Sequence, residues 1–237
     1  RSRKKRRQKV TKFLDADIDF YPEKISYMGN IYESLKMFEH TIIHPEPGDQ
    51  EILLMHEWET HLMKAHADFV CEMGGDILEI GFGMGISADF IQKNNPKSHT
   101  IIEIHPQIIE KAKEWAKDKP NVTILEGDWV KILPTLTEGS IRVTTRKFDG
   151  IFYDAISTPL GWDFHEQVPD LFYPHLKANT RMSHWNPLDF PGSVCRFMNH
   201  PKYTITFDEI DIDPPTHNSV YTCLGDTYYM PRIFLNE

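Results

Sequence analysis

"GDILEIGFGMGISADFIQ", residues 75–92, runs from an apolar stretch into three glycines within five residues and then into a helical pattern. Glycine carries the largest backbone entropy cost of any residue, so its density here implies a turn that other residues cannot make. Between a buried strand and a helix, such a turn lets a ligand approach the main chain closely. The stretch therefore predicts a strand, a ligand-binding loop and a helix N-terminus in succession.

Outward from it, strands alternate with helices. "HTIIEIH" (99–105), "VTILEGD" (122–128) and "FDGIFYDA" (148–155) read as strands, and "SADFIQKN" and "PQIIEKAKEWAKD" as helices. Pro106 sits at a favoured first-turn position. Upstream, "EILLMHEWETHLMKAHADFVCEM" places Met55, Trp58, Leu62, Ala65 and Phe69 at helical spacing. Residues 44–50, "HPEPGDQ", read as a loop, residues 167–180 as helical, and "RMSHWN" (181–186) as a fifth strand. "YTITFDEIDI" and "TYYMPRIFL" read as an antiparallel pair. Alternation of this kind implies βαβ units and a parallel sheet, with ligands bound beyond the carboxyl ends of its strands. The candidate positions are then Glu79 to Gly85, Glu103, Asp128-Trp129, Asp154 and Asn186.

Glu103, which ends the second strand, can accept hydrogen bonds from two ribose hydroxyls. That much suits NAD as well as S-adenosyl-L-methionine. Dinucleotide sites favour GxGxxG around a pyrophosphate. Here the spacing is Gly81-Phe82-Gly83-Met84-Gly85, with Glu79 just before it. An acid is a poor neighbour for pyrophosphate and a good one for the cationic methionine end of S-adenosylmethionine. "EGDW" adds Gly127, Asp128 for an adenine amino group and Trp129 to pack on the ring. Taken together these residues imply an α/β, class I S-adenosylmethionine-dependent methyltransferase (Rossmann-like) fold.

The chain has 237 residues, 40% of them hydrophobic, enough for one sizeable core. Its net charge is −9, yet residues 1–9, "RSRKKRRQK", carry seven Lys or Arg, so the rest lies near −16. We expect a flexible basic arm over 1–9 with affinity for nucleic acid, an acidic lipid surface or an acidic partner, a cap segment over 10–53 and the methyltransferase domain over 54–237. The acidic body argues against broad nucleic-acid binding and suits a cationic substrate. The absence of an initial methionine leads us to expect a trimmed chain. Three cysteines, Cys71, Cys195 and Cys223, form no CxxC pair and fit a reduced, cytoplasmic setting. No metal-ligand spacing and no 18-residue apolar stretch is present.

With "WET" at Trp58-Glu59-Thr60, "LEIGFGMGI" at 78–86, "HTIIEIHP", "LEGDW", "PTL" (134–136) and "FDGIFYDA" in order, the chain resembles the guanidinoacetate methyltransferase family, including its fungal relatives that methylate protein arginine. The likeness covers roughly 54–186, with a fainter echo at "DTYYMP" (226–231). It implies catalytic, guanidino-binding carboxylates at Glu59 and Asp154, flanked by Trp58 and Asn186. It also implies cofactor contacts from Glu79, Gly81, Phe82, Gly83, Met84, Gly85, Glu103, Ile104, Gly127, Asp128, Trp129 and Tyr153. Two departures stand out. Ala155-Ile156 replaces a Thr-Tyr pair, and "HWNPL" (184–188) replaces the segment that holds a substrate carboxylate. The expected function is methyl transfer to a guanidinoacetate-like small molecule. The alternatives are a protein arginine methyltransferase and a non-catalytic binding protein that uses the basic arm; oxidoreduction with NAD fits the loop spacing poorly.

Overall fold

The computed structural model describes residues 25–27, 30–32, 36–38, 41–46, 50–138, 144–155, 162–193, 195–214 and 224–236. The arm at 1–9, Ile156 and Cys223 lie outside them. Seven strands form one sheet: β1 (Asp76–Ile80), β2 (Ser98–Glu103), β3 (Val122–Glu126), β4 (Phe148–Tyr153), β5 (Leu176–His184), β6 (Tyr203–Asp211) and β7 (Thr227–Leu235). Their order across the sheet is β3-β2-β1-β4-β5-β7-β6. The first five are parallel, while β7 runs antiparallel to both β5 and β6.

The sheet is covered on both faces, which explains why its central strands are nearly continuous in apolar residues. Helices α1 (Thr60–Val70), α2 (Ile86–Lys93) and α3 (Pro106–Ala116) pack on one face. Leu62, Met63, Ile91, Ile108 and Ala112 meet Ile77, Ile101 and Phe152 there. On the other face, the short α4 (Trp129–Ile132) and α5 (Trp162–Phe172) cover Leu78, Ile80, Ile102 and Ile151 with Trp129, Val168 and Phe172. Alternation along β1 decides which residue meets which layer: Ile77 and Glu79 face α1–α3, Leu78 and Ile80 the opposite side.

Upstream of α1 the expected long helix is shorter than its apolar spacing predicts. Gln50–His56 is a strand paired with Thr41–Glu46, so Met55 belongs to a hairpin. Residues 44–46, read as loop, extend the partner strand, and 47–49 lie outside the described residues. His56 ends the strand and caps the turn that follows: its Nδ1 accepts from Trp58 N–H, and Glu59 accepts from His56 N–H. Those reciprocal bonds satisfy orphan donors at a helix start and stop α1 from extending backwards. Helix α5 likewise ends at Phe172, before Tyr173-Pro174, and 176–180 join β5 instead of continuing the helix.

The site is positioned by ladder bonds that run past the strand ends. Gly81 N–H donates to the Ile102 carbonyl (2.9 Å), Asp154 N–H to Ile80 (2.9 Å), Trp185 N–H to Tyr153 (3.2 Å) and Gly127 N–H to Glu103 (2.7 Å). One row of backbone thus lines up Gly127, Glu103, Gly81, Asp154 and Trp185 along the carboxyl edge. Below it, α1 lies almost on the backbone of β4: a Cβ on Gly150 would stand 1.9 Å from the Val70 carbonyl oxygen. Gly150→Ala should therefore lower unfolding stability by about 1–3 kcal/mol or more, as overpacking against main chain does. Chemical denaturation measures it, and an unchanged midpoint would show that α1 can move away from β4.

Candidate active site

The glycine loop is built around Glu103. Its Oε1 accepts from Ile104 N–H (2.8 Å) and His105 N–H (2.9 Å), and its Oε2 accepts from Phe82 N–H (2.9 Å). Burial raises its pKa, and the backbone N–H groups that bond the carboxylate pull in the opposite direction. Glu103 thus holds the loop from beneath. Gly81 has φ +89°, and a Cβ there would lie 2.1 Å from the Asp154 carbonyl oxygen. No other residue fits that approach. Phe82 turns its ring under Gly85 and against Trp115, with ring centroids 5.3 Å apart. Met84 N–H meets the Met55 sulfur at 3.2 Å, so the hairpin before α1 rests directly on the loop.

Glu79, expected beside the methionine end of the cofactor, is fully buried. One of its oxygens accepts from Ser87 Oγ and the other bonds His99 Nε2 at 2.9 Å. Both oxygens are engaged inside the α1–α3 layer, so the expected direct contact is corrected to a bond network that ties the loop to α2. Its negative charge still reaches the cleft. Asp154, two residues past the Glu79 partner Phe152 on the adjacent strand, feels it.

Asp154 follows the last residue of β4. Burial, followed by the charges of Glu79 and Glu103, pushes its pKa from 3.8 up to about 7. Among the described residues no lysine or arginine pairs with Glu79, Glu103 or Asp154. A cleft with unneutralised carboxylates is poised for a cation. Glu59, at the turn before α1, is buried and held by the His56 cap. Burial raises the pKa of the Tyr228 hydroxyl on β7, with smaller contributions from the charges of Asp154 and Glu59. Trp58 lies beside Glu59, its carbonyl accepting from or facing the His61 ring nitrogen at 2.9 Å.

At the adenosine end, Asp128 caps α4 with Oδ1, accepting from Val130 N–H at 2.9 Å. Its Oδ2 is buried with no hydrogen-bond partner and lies 3.6 Å from Lys131 Nζ. A buried acceptor with no hydrogen bond at this place could take an adenine amino group. Gly127, at φ +133°, and the partly exposed Ile104 border the same end. Trp129 and Tyr153 pack against the core. Trp129 stacks on Phe172 (5.4 Å, 6°) and meets the Tyr153 edge at 5.1 Å, so both rings belong to the core beneath the site. Asn186 is also corrected. Its amide donates to the Tyr229 carbonyl (2.9 Å) and accepts from Leu188 N–H (3.1 Å), which braces the loop after β5 and leaves the side chain fully buried.

His66, Ser183, Trp185 and Tyr228 were not foreseen. His66 interrupts the apolar stripe of α1, a signal available in the sequence; the other three carry none that distinguishes them from core residues.

Sheet order, glycine loop and strand-end acids define a class I S-adenosylmethionine-dependent methyltransferase fold, with S-adenosyl-L-methionine as its cofactor. A model described as guanidinoacetate N-methyltransferase matches residues 47–173, and the chain belongs to that family. It is 43% identical over 126 residues to protein arginine N-methyltransferase 2 of Candida glabrata, covering 50% of this chain and 28% of that protein. Against the protein of the same name from Eremothecium gossypii it is 37% identical over 199 residues, covering 76% and 46%. The chain therefore spans less than half the length of these relatives. Among solved structures, spermidine synthase from Thermotoga maritima has a TM-score of 0.51 at 13% identity, over 94% of this chain and 84% of that one, a likeness of fold alone. No helix among the described residues is long and apolar enough to cross a membrane.

Glu103→Ala should weaken S-adenosylhomocysteine binding by about 1.5–3 kcal/mol, the range for hydrogen bonds to a charged group. Calorimetry checks this, and unchanged affinity would remove Glu103 from the site. Asp154 also predicts a pH signature. Between pH 3.8 and about 7 the folded state keeps a proton that the unfolded state has lost, so stability falls as pH rises through that window. Without cofactor, Asp154→Asn should melt higher than the wild type near pH 8, with the difference closing near pH 4. A wild-type advantage near pH 8 would contradict the buried, unpaired carboxylate.

Proposed function

We propose that the chain transfers a methyl group from S-adenosylmethionine to a guanidino nitrogen of arginine in a protein, with Asp154 and Glu59 as the acceptor clamp. The observation that carries the chemistry is Asp154: a carboxylate beside the glycine loop, with no bonded donor among the described residues and a pKa raised to about 7. Bound S-adenosylmethionine supplies an electrophilic methyl on a positively charged sulfur. A guanidinium is planar, keeps its proton to pKa above about 12 and delocalises its lone pairs. Two carboxylates hold such a fork in bidentate geometry and offset its charge, which localises electron density on the attacking nitrogen. Asp154, basic for a carboxylate, accepts the proton released as the nitrogen–carbon bond forms. Alignment of nitrogen, methyl and sulfur supplies much of the rate.

Protein arginine is favoured over the guanidinoacetate-like acceptor expected from the sequence. The relatives named above are protein arginine methyltransferases. Asn186, the one residue retained for holding a small substrate's carboxylate, has its amide engaged by main chain. The strongly acidic body also suits a cationic polypeptide. The basic arm at 1–9 is proposed to meet an acidic partner, and reduced thiols at the buried Cys71 and Cys195 fit a cytoplasmic setting.

Mass spectrometry of methyl transfer to guanidinoacetate, free arginine and a protein extract in parallel tests the choice. Methylation of guanidinoacetate alone would reverse it. Asp154→Asn should reduce turnover by roughly 10²-fold or more while leaving cofactor affinity nearly unchanged. Glu59→Gln should raise the acceptor KM and lower kcat as well. Near-wild-type activity in both variants would refute the clamp.

A further inference from the structure

Among the described residues four large apolar side chains stand out into solvent: Met73, Tyr173, Phe190 and Met198. Met73, Tyr173 and Met198 lie ahead of β1, β5 and β6, whereas Phe190 follows a parallel strand at the carboxyl edge. It is 53% exposed on the loop that leaves β5. Single exposed rings are ordinary on a protein surface, so its setting decides what it means. The loop starts beside the acceptor site: Trp185 N–H donates to the Tyr153 carbonyl at 3.2 Å, one residue before Asp154. It is then braced along its length. Asn186 N–H donates to the Tyr228 hydroxyl (2.9 Å), and the Asn186 side chain bonds Leu188 N–H and the Tyr229 carbonyl. Ser193 Oγ meets His184 Nε2 at 2.8 Å and closes the loop. Pro187 and Pro191 fix two more φ angles. Leu188 and Phe190 both lean over Gly192, where a Cβ would lie 2.8 Å from each. A ring held in this way meets a partner with little conformational entropy left to lose.

Reach and charge select the partner. The Asn186 amide nitrogen lies 3.5 Å from the Phe190 carbonyl oxygen. Together with the Trp185–Tyr153 bond, this keeps the main chain of Phe190 within about 15 Å of that of Tyr153. Extended polypeptide covers such a distance in about four or five residues. A polypeptide whose arginine reaches Asp154 therefore carries its neighbouring residues to Phe190. Asp189 stands exposed next to the ring, and the exposed Asp226 and Asp211 flank the paired ends of β7 and β6 farther along the same edge. Among the described residues no lysine or arginine pairs with these three carboxylates. An aromatic face beside an unpaired carboxylate complements a cation, which the ring attracts through its quadrupole and the carboxylate through its charge.

We propose that the loop from Asn186 to Ser193 docks the acceptor polypeptide, Asp189 and Phe190 recognising a second basic residue about two to four positions from the methylated arginine. This rests on the protein arginine reading above and adds the sequence context that the site selects. Three peptides with a single arginine test it, with lysine, glutamine or glutamate at the second to fourth positions on both sides. Lysine brings the charge without adding a guanidino acceptor. With the full chain, kcat/KM for the lysine peptide should exceed that for the glutamine peptide by about 3- to 10-fold, as an exposed ion pair and a cation–π contact together give. Asp189→Asn and Phe190→Ala should each reduce that ratio by about 2- to 5-fold, chiefly through KM. Asp189→Lys should turn the preference toward the glutamate peptide, a reversal that damage to the fold does not produce. A wild-type ratio near one, a ratio unchanged by Phe190→Ala, or a lysine preference that survives Asp189→Lys would overturn the inference. Methylation of guanidinoacetate with none of any peptide would instead overturn the proposed function. Fluorescence anisotropy of the labelled peptides with S-adenosylhomocysteine present then reads the same ratios as Kd and still decides the docking surface.

Discussion

The close approach of two backbones at the carboxyl edge of the sheet governs the rest of the site. Gly81 leaves β1 in a left-handed conformation and lies where a side chain would collide with the Asp154 carbonyl. Because nothing projects from residue 81, the glycine loop and the end of β4 can stand side by side, joined by the Asp154–Ile80 bond. In the proposed reaction, a methyl donor over the loop and an acceptor against Asp154 are then brought into proximity by main chain. Side chains add charge and direction to a geometry that the parallel β1–β4 pairing already provides. Parallel strands end on the same side, so each loop that follows them contributes to one cleft.

Charge is the second theme. Carboxylates from separate elements lie near that cleft: Glu103 and Asp154 stand at strand ends on the carboxyl edge, Glu79 is buried beneath them, and Glu59 stands at the turn before α1. In water such a group of anions would be unremarkable, but burial makes each sensitive to the others. Glu103 is stabilised by backbone N–H groups and Glu79 by Ser87 and His99. Asp154 has neither kind of support and absorbs the strain as a raised pKa. One carboxylate is thus made basic by the company of others that are better held. In the proposed reaction, a sulfonium and a guanidinium relieve the same electrostatic tension, which makes the carboxylate field a source of selectivity for charge.

The hairpin before α1 couples these parts. His56 ends its last strand and, with Glu59, starts the helix; Met55 one residue earlier rests on the Met84 N–H of the glycine loop. Glu59 and the glycine loop are therefore linked through two consecutive residues. Further down the same helix, His66 anchors α1 to β5 and β7 through Ser183 and Tyr228. Glu59 is held at its own turn by a cap and at the other end of its helix by a buried polar chain.

The sequence by itself determined the alternation of strands and helices, the glycine turn and the acids that end β1, β2 and β4, because these depend on neighbours only a few residues away. A run such as "LEIGFGMGI" meets its own local needs wherever it is placed. It misjudged the helix before "WET", where apolar spacing suited either period until pairing with Thr41–Glu46 selected a strand. Trp129 and Asn186 carried residue types that suit a binding site, yet Phe172 and the β7 main chain claimed them first. Tertiary structure alone decided those partners, and it alone brought His66, Ser183 and Tyr228 together. Ser183 and Tyr228 lie 117 and 162 residues from His66. No local pattern can encode a hydrogen-bond chain whose members meet only after the sheet has closed.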